Sequence, residues 1–160
     1  MNPTIREYRT EDLDTVVRLS LDAWSPVFAG IREQMGDDMF RRQHGDDWRE
    51  YQRGSVEQTL RGAAHAWVAE VDGAVTAFAV VVIHDDGRIG ELAMLAVAPE
   101  HQSQGLGALL TQTALDWIRD AGITVAMVET GGDPGHAPAR RVYESAGFTR
   151  WPVARYFKAL

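Results

Sequence analysis

The segment from Leu95 to Ala108 limits the possible folds more than any other part of the chain. It runs Leu-Ala-Val-Ala-Pro-Glu-His-Gln-Ser-Gln-Gly-Leu-Gly-Ala, so an apolar strand ends at a proline and a glycine-containing loop opens a helix. The first turn of a helix presents unpaired N–H groups and a partial positive charge, which together favour the binding of a phosphate. The segment therefore predicts a domain that combines strands with helices and holds an anion where the two meet.

Two other phosphate-binding motifs do not fit this loop. A P-loop requires Gly-Lys-Ser or Gly-Lys-Thr, and the chain has no lysine before Lys158. A dinucleotide fingerprint requires a third small residue three positions after Gly107, where Leu110 stands. Taken alone, the loop is equally typical of a tight turn into an amphipathic helix.

Strand and helix patterns along the rest of the chain predict a single domain over residues 1–160. Its class is α/β of the α+β type, with a mixed, mostly antiparallel, seven-stranded sheet flanked by helices. Asp72-Gly73 is a favoured two-residue turn and predicts a hairpin. The predicted strands are Thr4–Tyr8, His65–Val71, Ala74–His84, Arg88–Val97, Ile123–Thr130, Phe148–Trp151 and Ala154–Phe157. The predicted helices are Glu11–Ala23, one or two pieces within Gly30–Gly62, Gln104–Ala121 and Pro138–Ala146.

Composition excludes several classes of protein. The chain has no cysteine, which rules out a disulfide scaffold, a thiolate metal site and a cysteine nucleophile. Its 16 basic residues face 23 acidic ones, and the net charge of −7 argues against nucleic-acid binding. No apolar run reaches the roughly 18 residues that cross a bilayer. We therefore expect a cytoplasmic protein with neither a nucleic acid nor a membrane as partner.

Two motifs resemble those of the GNAT superfamily of N-acetyltransferases. Residues 95–107 have the pattern Leu-x-Val-x-Pro-x-x-Gln-x-x-Gly-x-Gly, which is similar to the acetyl-CoA loop of that family. Residues 136–148 have the pattern His-x-x-Ala-x-x-x-Tyr-x-x-x-Gly-Phe, which resembles the family's segment except that the family has Asn at the first position. The resemblance implies a GNAT-like fold whose fourth and fifth strands run parallel and splay apart to admit pantetheine.

The same resemblance implies acetyl-CoA as the co-substrate. The backbone near Val97 would pair with the pantetheine arm, and the N–H groups of the glycine loop would surround the pyrophosphate. His136 would replace the family's Asn contact with an imidazole of different shape. The residues implied to contact the cofactor are Leu95, Ala96, Val97, Gln102, Ser103, Gln104, Gly105, Leu106, Gly107, Ala108, His136, Ala139 and Tyr143.

Two residues are candidates for proton transfer. Tyr143 is the family's usual general acid, and a phenol with a pKa of about 10 stays protonated at neutral pH; the alternative is a ring that only packs under the cofactor. Glu91 lies 11 residues before Gln102, a spacing similar to that of the catalytic glutamate in the histone-acetylating branch. Strand alternation without a bulge would put Glu91 on one face with Leu95 and Val97. The alternative for Glu91 is a solvated charge.

The remaining predictions concern metals and the acceptor. None of the five histidines has the spacing of a metal ligand, so we expect no metal; His136 is an alternative base. The resemblance implies an acceptor pocket built by the first helices and the terminal strands, for which Trp24, Phe28 and Tyr156 are candidates, although core packing explains each of them as well. Aromatic faces of this kind bind ammonium groups. A homodimer is the first oligomer to test.

The function predicted from the resemblance is acetyl transfer from acetyl-CoA to a primary amine, by direct attack in a ternary complex. The acceptor would be a small-molecule amine or a peptide amine. Two alternatives stay open: a non-catalytic sensor that binds acyl-CoA, and an interaction module whose glycine loop is only a turn. O-acetylation or a longer acyl donor would be variants within the enzyme class.

Overall fold

The computed structural model describes residues 2–160 and has one open sheet of five strands at its centre. The strands are β1 (Thr4–Glu7), β2 (His65–Val71), β3 (Ala74–His84), β4 (Ile89–Val97) and β5 (Val125–Met127), in that spatial order. The helices are α1 (Leu13–Met35), α2 (Asp37–His44), α3 (Trp48–Arg61), α4 (Leu106–Asp120) and α5 (Ala137–Ser145).

The sheet is antiparallel from β1 to β4, and only β5 runs parallel to its neighbour. Asp72 and Gly73 join β2 to β3 with φ of 51° and 79°, as a two-residue turn with two left-handed positions requires. The connection from β4 to β5 passes through α4, because parallel neighbours need a crossover. The prediction of a mixed, mostly antiparallel sheet flanked by helices is therefore confirmed.

Helices cover both faces of the sheet and divide the core into two clusters. On one face, α4 and α5 pack on the odd-numbered residues of β3, and the buried members include Val81, Leu110 and Ile118. On the other face, α1 and α3 pack on even-numbered residues, including Phe78 and Val80, through Val17 and Val56. This two-sided burial explains why β3 is apolar almost throughout its length.

The predicted count of seven strands was wrong. The fifth strand is Val125–Met127 rather than Ile123–Thr130, because β5 pairs with β4 over three residues and then has no ladder. No strand forms at Phe148–Trp151 or Ala154–Phe157; residues 149–160 are extended coil with exposed side chains. Pro152 lacks the N–H that a ladder would use, and no backbone of the described residues pairs with this segment.

The first helix is longer than predicted, since α1 continues from Leu13 through Pro26 to Met35. The pyrrolidine ring lies on the exposed side of the helix, and the next turn buries Phe28 among aromatic rings of α2 and α3. Phe28 stacks on Trp48 with a centroid distance of 4.7 Å and meets Phe40 edge-on at 6.2 Å. Packing of this aromatic cluster outweighs the local tendency of proline to end a helix. Within residues 2–160, no helix has both the length and the apolar character needed to cross a membrane.

Gly90 allows α4 to pack closely on β4. A Cβ atom built on Gly90 would lie 2.7 Å from Cγ2 of Ile118, so any side chain there must displace the side chain of Ile118. We expect Gly90→Ala to lower the free energy of unfolding by about 1–3 kcal/mol through overpacking. Urea unfolding followed by circular dichroism measures this change.

Gly54→Ala is the matched control. Gly54 lies in the interior of α3 with no atom within 4 Å of a Cβ built on it. Its replacement should raise the free energy of unfolding by about 0.5–1 kcal/mol, because alanine favours a helix. Equal stability of Gly90→Ala and the unmodified protein would contradict the close approach of α4 and β4.

Candidate active site

A β-bulge in β4 determines which side chains of that strand share a face. Val80 of β3 pairs with Met94 and Val81 pairs with Leu92, so Ala93 has no partner opposite it. Leu92 packs towards α4, as do Leu95 and Val97. Alternation therefore puts Glu91 on the face covered by α1 and α3. The predicted common face for Glu91, Leu95 and Val97 was wrong, because one extra residue reverses the alternation.

The two parallel strands separate immediately after Glu91. β5 pairs with β4 at Ile89, Gly90 and Glu91 only, and Glu91 lies opposite Met127. Beyond this point β4 continues for six residues to Val97, while β5 has ended. The edge of β4 from Leu92 to Val97 that faces away from β3 has no strand partner among the described residues. An extended ligand with amide groups can pair with such an edge.

Two glutamine side chains bind the backbone of the loop after β4. Gln102 donates through Nε2 to the carbonyl of Val97 (3.1 Å), and Gln104 donates through Nε2 to the carbonyl of Glu100 (3.1 Å). Ser103 and Gly105 have φ of 60° and 87°, in the left-handed region. Such left-handed positions next to ordinary ones make concave groups of N–H donors that suit anions.

The first turn of α4 completes this donor group. The first N–H groups of a helix have no partner within the helix. In α4 no side-chain hydrogen bond caps them either, because the preceding residue is Gly105. Leu106 anchors the turn in the core, whereas Ala108 is exposed. A Cβ atom built on Gly107 would have only ordinary contacts at 3.9 Å. The loop and helix start thus provide donors and a partial positive charge for a phosphate group.

Tyr143 lies beneath this region in α5. Its side chain is 9% exposed and meets the ring of Phe148 edge-on at 6.1 Å, in the cluster that also contains Leu106 and Leu110. Burial raises the pKa of Tyr143 to about 12. The phenol therefore keeps its proton throughout the range in which proteins usually work.

Glu91 forms a hydrogen bond with His84, a residue that lies outside both sequence motifs. His84, the last residue of β3, meets Oε2 of Glu91 through Nε2 at 2.5 Å. The two residues lie diagonally across the β3–β4 ladder, where His84 pairs with Ile89 and Val82 with Glu91. Sequence position alone did not single out His84, because only the strand register brings the two together.

A second histidine–carboxylate pair stands at the start of α5. His136 meets Oδ1 of Asp133 through Nδ1 at 2.5 Å, and this hydrogen bond lowers the pKa of Asp133 against the opposing effect of burial. Arg140 donates to the carbonyls of Gly131 (2.6 Å) and Asp133 (2.7 Å), so α5 fixes this loop. Neither Asp133 nor Arg140 was selected from the sequence, because their partners are backbone atoms and a neighbouring ring.

The three aromatic residues predicted for the acceptor pocket are not brought together. Phe28 is 9% exposed within the aromatic cluster of α1, α2 and α3. Trp24 meets Phe78 edge-on at 6.3 Å, on the same face of the sheet as Glu91. Tyr156 is 90% exposed in the C-terminal coil.

Ala139 packs at the edge of the cluster that contains Tyr143. Among residues 2–160, no group of three metal-binding side chains was found.

The buried phenol of Tyr143 should make stability depend on alkaline pH. Its pKa is about 12 when folded and about 10 when unfolded, so the unfolded chain loses the proton first. The free energy of unfolding should therefore fall by roughly 1.4 kcal/mol per pH unit between pH 10 and 12 from this residue. Tyr143→Phe should reduce that slope when both proteins are unfolded in urea across this range. An unchanged slope would show that the phenol is hydrated.

Comparison with known proteins gives the family. The sequence model of the Acetyltransferase (GNAT) family matches residues 28–148, about three quarters of the chain. A mycothiol acetyltransferase of Stackebrandtia nassauensis is 40% identical over 94 residues, which make up 57% of this chain and 30% of that relative. The chain therefore spans less than a third of the length of the curated relatives it matches first.

Solved structures have the same fold. PH1933 from Pyrococcus horikoshii OT3 superimposes with a TM-score of 0.74 at 18% identity, covering 96% of this chain and 93% of that one. The PaiA N-acetyltransferase of Thermoplasma acidophilum, solved in complex with coenzyme A, gives a TM-score of 0.69 at 19% identity, with coverage of 93% and 91%. The family match also confirms the resemblance of the two sequence motifs. The chain belongs to the GNAT family of acetyltransferases.

Proposed function

We propose that this protein transfers an acetyl group from acetyl-CoA to a primary amine by direct attack in a ternary complex. The observation that carries the proposal is the separation of β4 and β5 beside the uncapped start of α4. A slot with free backbone groups along one wall and a group of N–H donors at its end matches a pantetheine arm joined to a pyrophosphate.

A homodimer, a cytoplasmic location and a single domain remain predictions.

The residues present fit the cofactor. The free edge from Leu95 to Val97 offers backbone groups to the amides of pantetheine, and the N–H groups from Ser103 to Ala108 suit the pyrophosphate. Gly105 and Gly107 leave room for the backbone to approach it. When bound, acetyl-CoA supplies the activated thioester. His136 provides an imidazole at the start of α5 where the family has an amide, held in place by Asp133.

Glu91 is the proposed base. A primary amine is an ammonium ion at neutral pH and must lose a proton before it can attack. Glu91 is the last residue of β4 that pairs with β5 and lies on the face covered by α1, so its carboxylate is next to the point where the two strands separate. Trp24 lies on the same face. Those two positions support the approach of the amine from the α1 side of the sheet.

Tyr143 is the proposed acid. It lies on the opposite face of the sheet from Glu91, in the cluster beneath the start of α4. A thiolate is expelled when the tetrahedral adduct collapses, and a nearby O–H lowers the cost of that step. Burial keeps the phenol of Tyr143 protonated, since it raises the pKa to about 12. With base and acid on opposite faces, the amine would enter and the thiol would leave without competing for one space.

The acceptor is proposed only as a class, a small-molecule or peptide amine. Several relatives are named as mycothiol acetyltransferases, and the match covers 30% of the one from Stackebrandtia nassauensis. The net charge of −7 favours the approach of a cationic amine to this protein in general. An amine panel that includes small diamines, amino sugars and short peptides therefore covers both kinds of acceptor.

Gly105→Glu should abolish binding of acetyl-CoA. The new carboxylate would stand at the start of α4, where the pyrophosphate is proposed to bind, and two anions there repel each other. The measurement is the rise in melting temperature with acetyl-CoA, which corresponds to about 2.7 kcal/mol at 100 times the dissociation constant.

Gly122→Glu is the control for this variant. Gly122 follows the other end of α4 with φ of 81°, close to the 87° of Gly105, and no atom lies within 4 Å of a Cβ built on either residue. The two substitutions should cost similar backbone strain, but Gly122→Glu should keep the cofactor-induced shift. If Gly105→Glu bound acetyl-CoA normally, the assignment of the loop would be wrong.

The activity test is thiol release from acetyl-CoA across the amine panel between about pH 6 and 9. Glu91→Gln should lower kcat by about 10²-fold or more at neutral pH, and Tyr143→Phe by a similar factor, because each removes one proton transfer. The loss in Glu91→Gln should shrink as pH rises, since more of the amine is then already neutral. Silence across the panel with cofactor binding intact would favour an acyl-CoA sensor. Absence of both binding and transfer would favour an interaction module.

A further inference from the structure

We propose that His84 carries the amine's proton from Glu91 to solvent, so that the two residues form a proton exit. This inference rests on the proposed function and adds one residue to it. His84 contacts the base rather than the reacting atoms and is therefore a positioning and relay residue.

Exposure increases along this pair in the direction of the solvent. Nε2 of His84 lies 2.5 Å from Oε2 of Glu91, and the side chains are 44% and 21% exposed, respectively. Glu91 faces the point where β4 and β5 separate, whereas His84 ends β3 at the margin of the sheet. Within residues 2–160, neither Oε1 of Glu91 nor Nδ1 of His84 has a hydrogen-bond partner besides the contact between Nε2 and Oε2. The pair thus connects the proposed reaction site with the outside.

Within residues 2–160, no further charged group forms an ion pair with either member of the pair. The adjacent turn carries Asp85, Asp86 and Arg88, and Nε of Arg88 donates to the carbonyl of Asp85 at 3.0 Å. β5, opposite Glu91, has no titratable side chain. The charged side chains of α1, α3 and α4 that form ion pairs do so elsewhere, as Arg32–Asp37, Arg61–Glu57, Arg119–Asp116 and Arg119–Asp120. Among residues 2–160, the only ion pair of Glu91 or His84 is the one between them.

The proton balance of the reaction requires that one proton leave the site in each turnover. An ammonium ion and acetyl-CoA give an amide, a thiol and one free proton. The amine nitrogen loses two protons, of which one is balanced by the proton that Tyr143 gives to the thiolate. The other would move to Glu91, and the resulting carboxylic acid must release that proton before it can act as a base in the next turnover.

Histidine is suited to this transfer because its two ring nitrogens exchange protons near neutral pH. In the tautomer that carries the ring proton on Nδ1, Nε2 of His84 is free to accept: the O–H bond of protonated Glu91 breaks as an N–H bond forms at Nε2, which leaves a carboxylate and an imidazolium. The imidazolium then loses its Nδ1 proton to water, and exchange of the remaining proton from Nε2 to Nδ1 through water restores the tautomer that accepts at Nε2. No oxidant, reductant or further co-reactant takes part.

His84→Gln separates relay from orientation. A glutamine amide can still donate a hydrogen bond to Glu91 but cannot accept and release a proton. With the amine that gives the fastest thiol release, we expect kcat of His84→Gln to fall about tenfold at pH 7 and KM for the amine to change less than about twofold. His84→Ala should show the same loss, and added imidazole should restore part of its kcat, because a free base can enter the space left by the ring.

His65→Gln is the matched control. His65 begins β2 and meets a glutamate, Glu7 of β1, with Nε2 3.3 Å from Oε1, at the far side of the sheet from β5. Its replacement should leave kcat unchanged. The melting temperatures of all three variants verify that each is folded.

The outcomes separate this proposal from the function it rests on. If wild-type protein transfers acetyl groups and His84→Gln retains full kcat, the relay is wrong while the proposed function stands. A rise in KM alone, or no response of His84→Ala to imidazole, would mean that His84 only orients Glu91. If wild-type protein transfers no acetyl group to any amine, the proposed function fails and the relay fails with it.

Discussion

The ladder between β4 and β5 stops after three residues, and the candidate site depends on that end point. The two strands run parallel and pair only at residues 89–91. A fourth or fifth pair would occupy the edge of β4 that is left free from Leu92 to Val97, and the slot would not exist. α4 keeps β4 in place from one side, since the contact between Gly90 and Ile118 leaves no room for a side chain. One strand is thus fixed while the other departs from it.

The bulge at Ala93 divides the chemistry of the site between two faces. Before the bulge Glu91 faces α1, and after it Leu95 and Val97 face α4 and α5, where Tyr143 is buried. A regular strand would have put the carboxylate on the face of the phenol, within one apolar cluster. A charged group there would lose its hydration without a partner, which is costly. The bulge instead leaves Glu91 partly exposed and next to His84.

The sequence was sufficient to predict the parts that depend on local pattern. The hairpin at Asp72-Gly73, the apolar strands β2 to β4 and the loop into α4 each have a signal within a few residues. The predictions failed where residues far apart in the sequence determine the length of a strand or helix. Residues 123–130 were predicted as one strand, but only three of them pair with β4. The segment after Phe148 has no neighbouring strand to pair with and is coil. Likewise, α1 passes Pro26 because rings of α2 and α3 pack against its second half.

The same distinction applies to the site residues. Gly105, Gly107 and Tyr143 lie within motifs of fixed spacing, so the family pattern selected them without knowledge of the fold. His84 and Asp133 have no motif, and only their histidine–carboxylate contacts single them out. The two pairs differ in exposure: Asp133 and His136 are 16% and 23% exposed and held by the α5 loop, whereas His84 opens to water at the sheet margin. A less exposed pair can hold a ring in one orientation, whereas a proton leaves a site most readily through a group that water reaches. That difference is why the exit is assigned to His84 and not to His136.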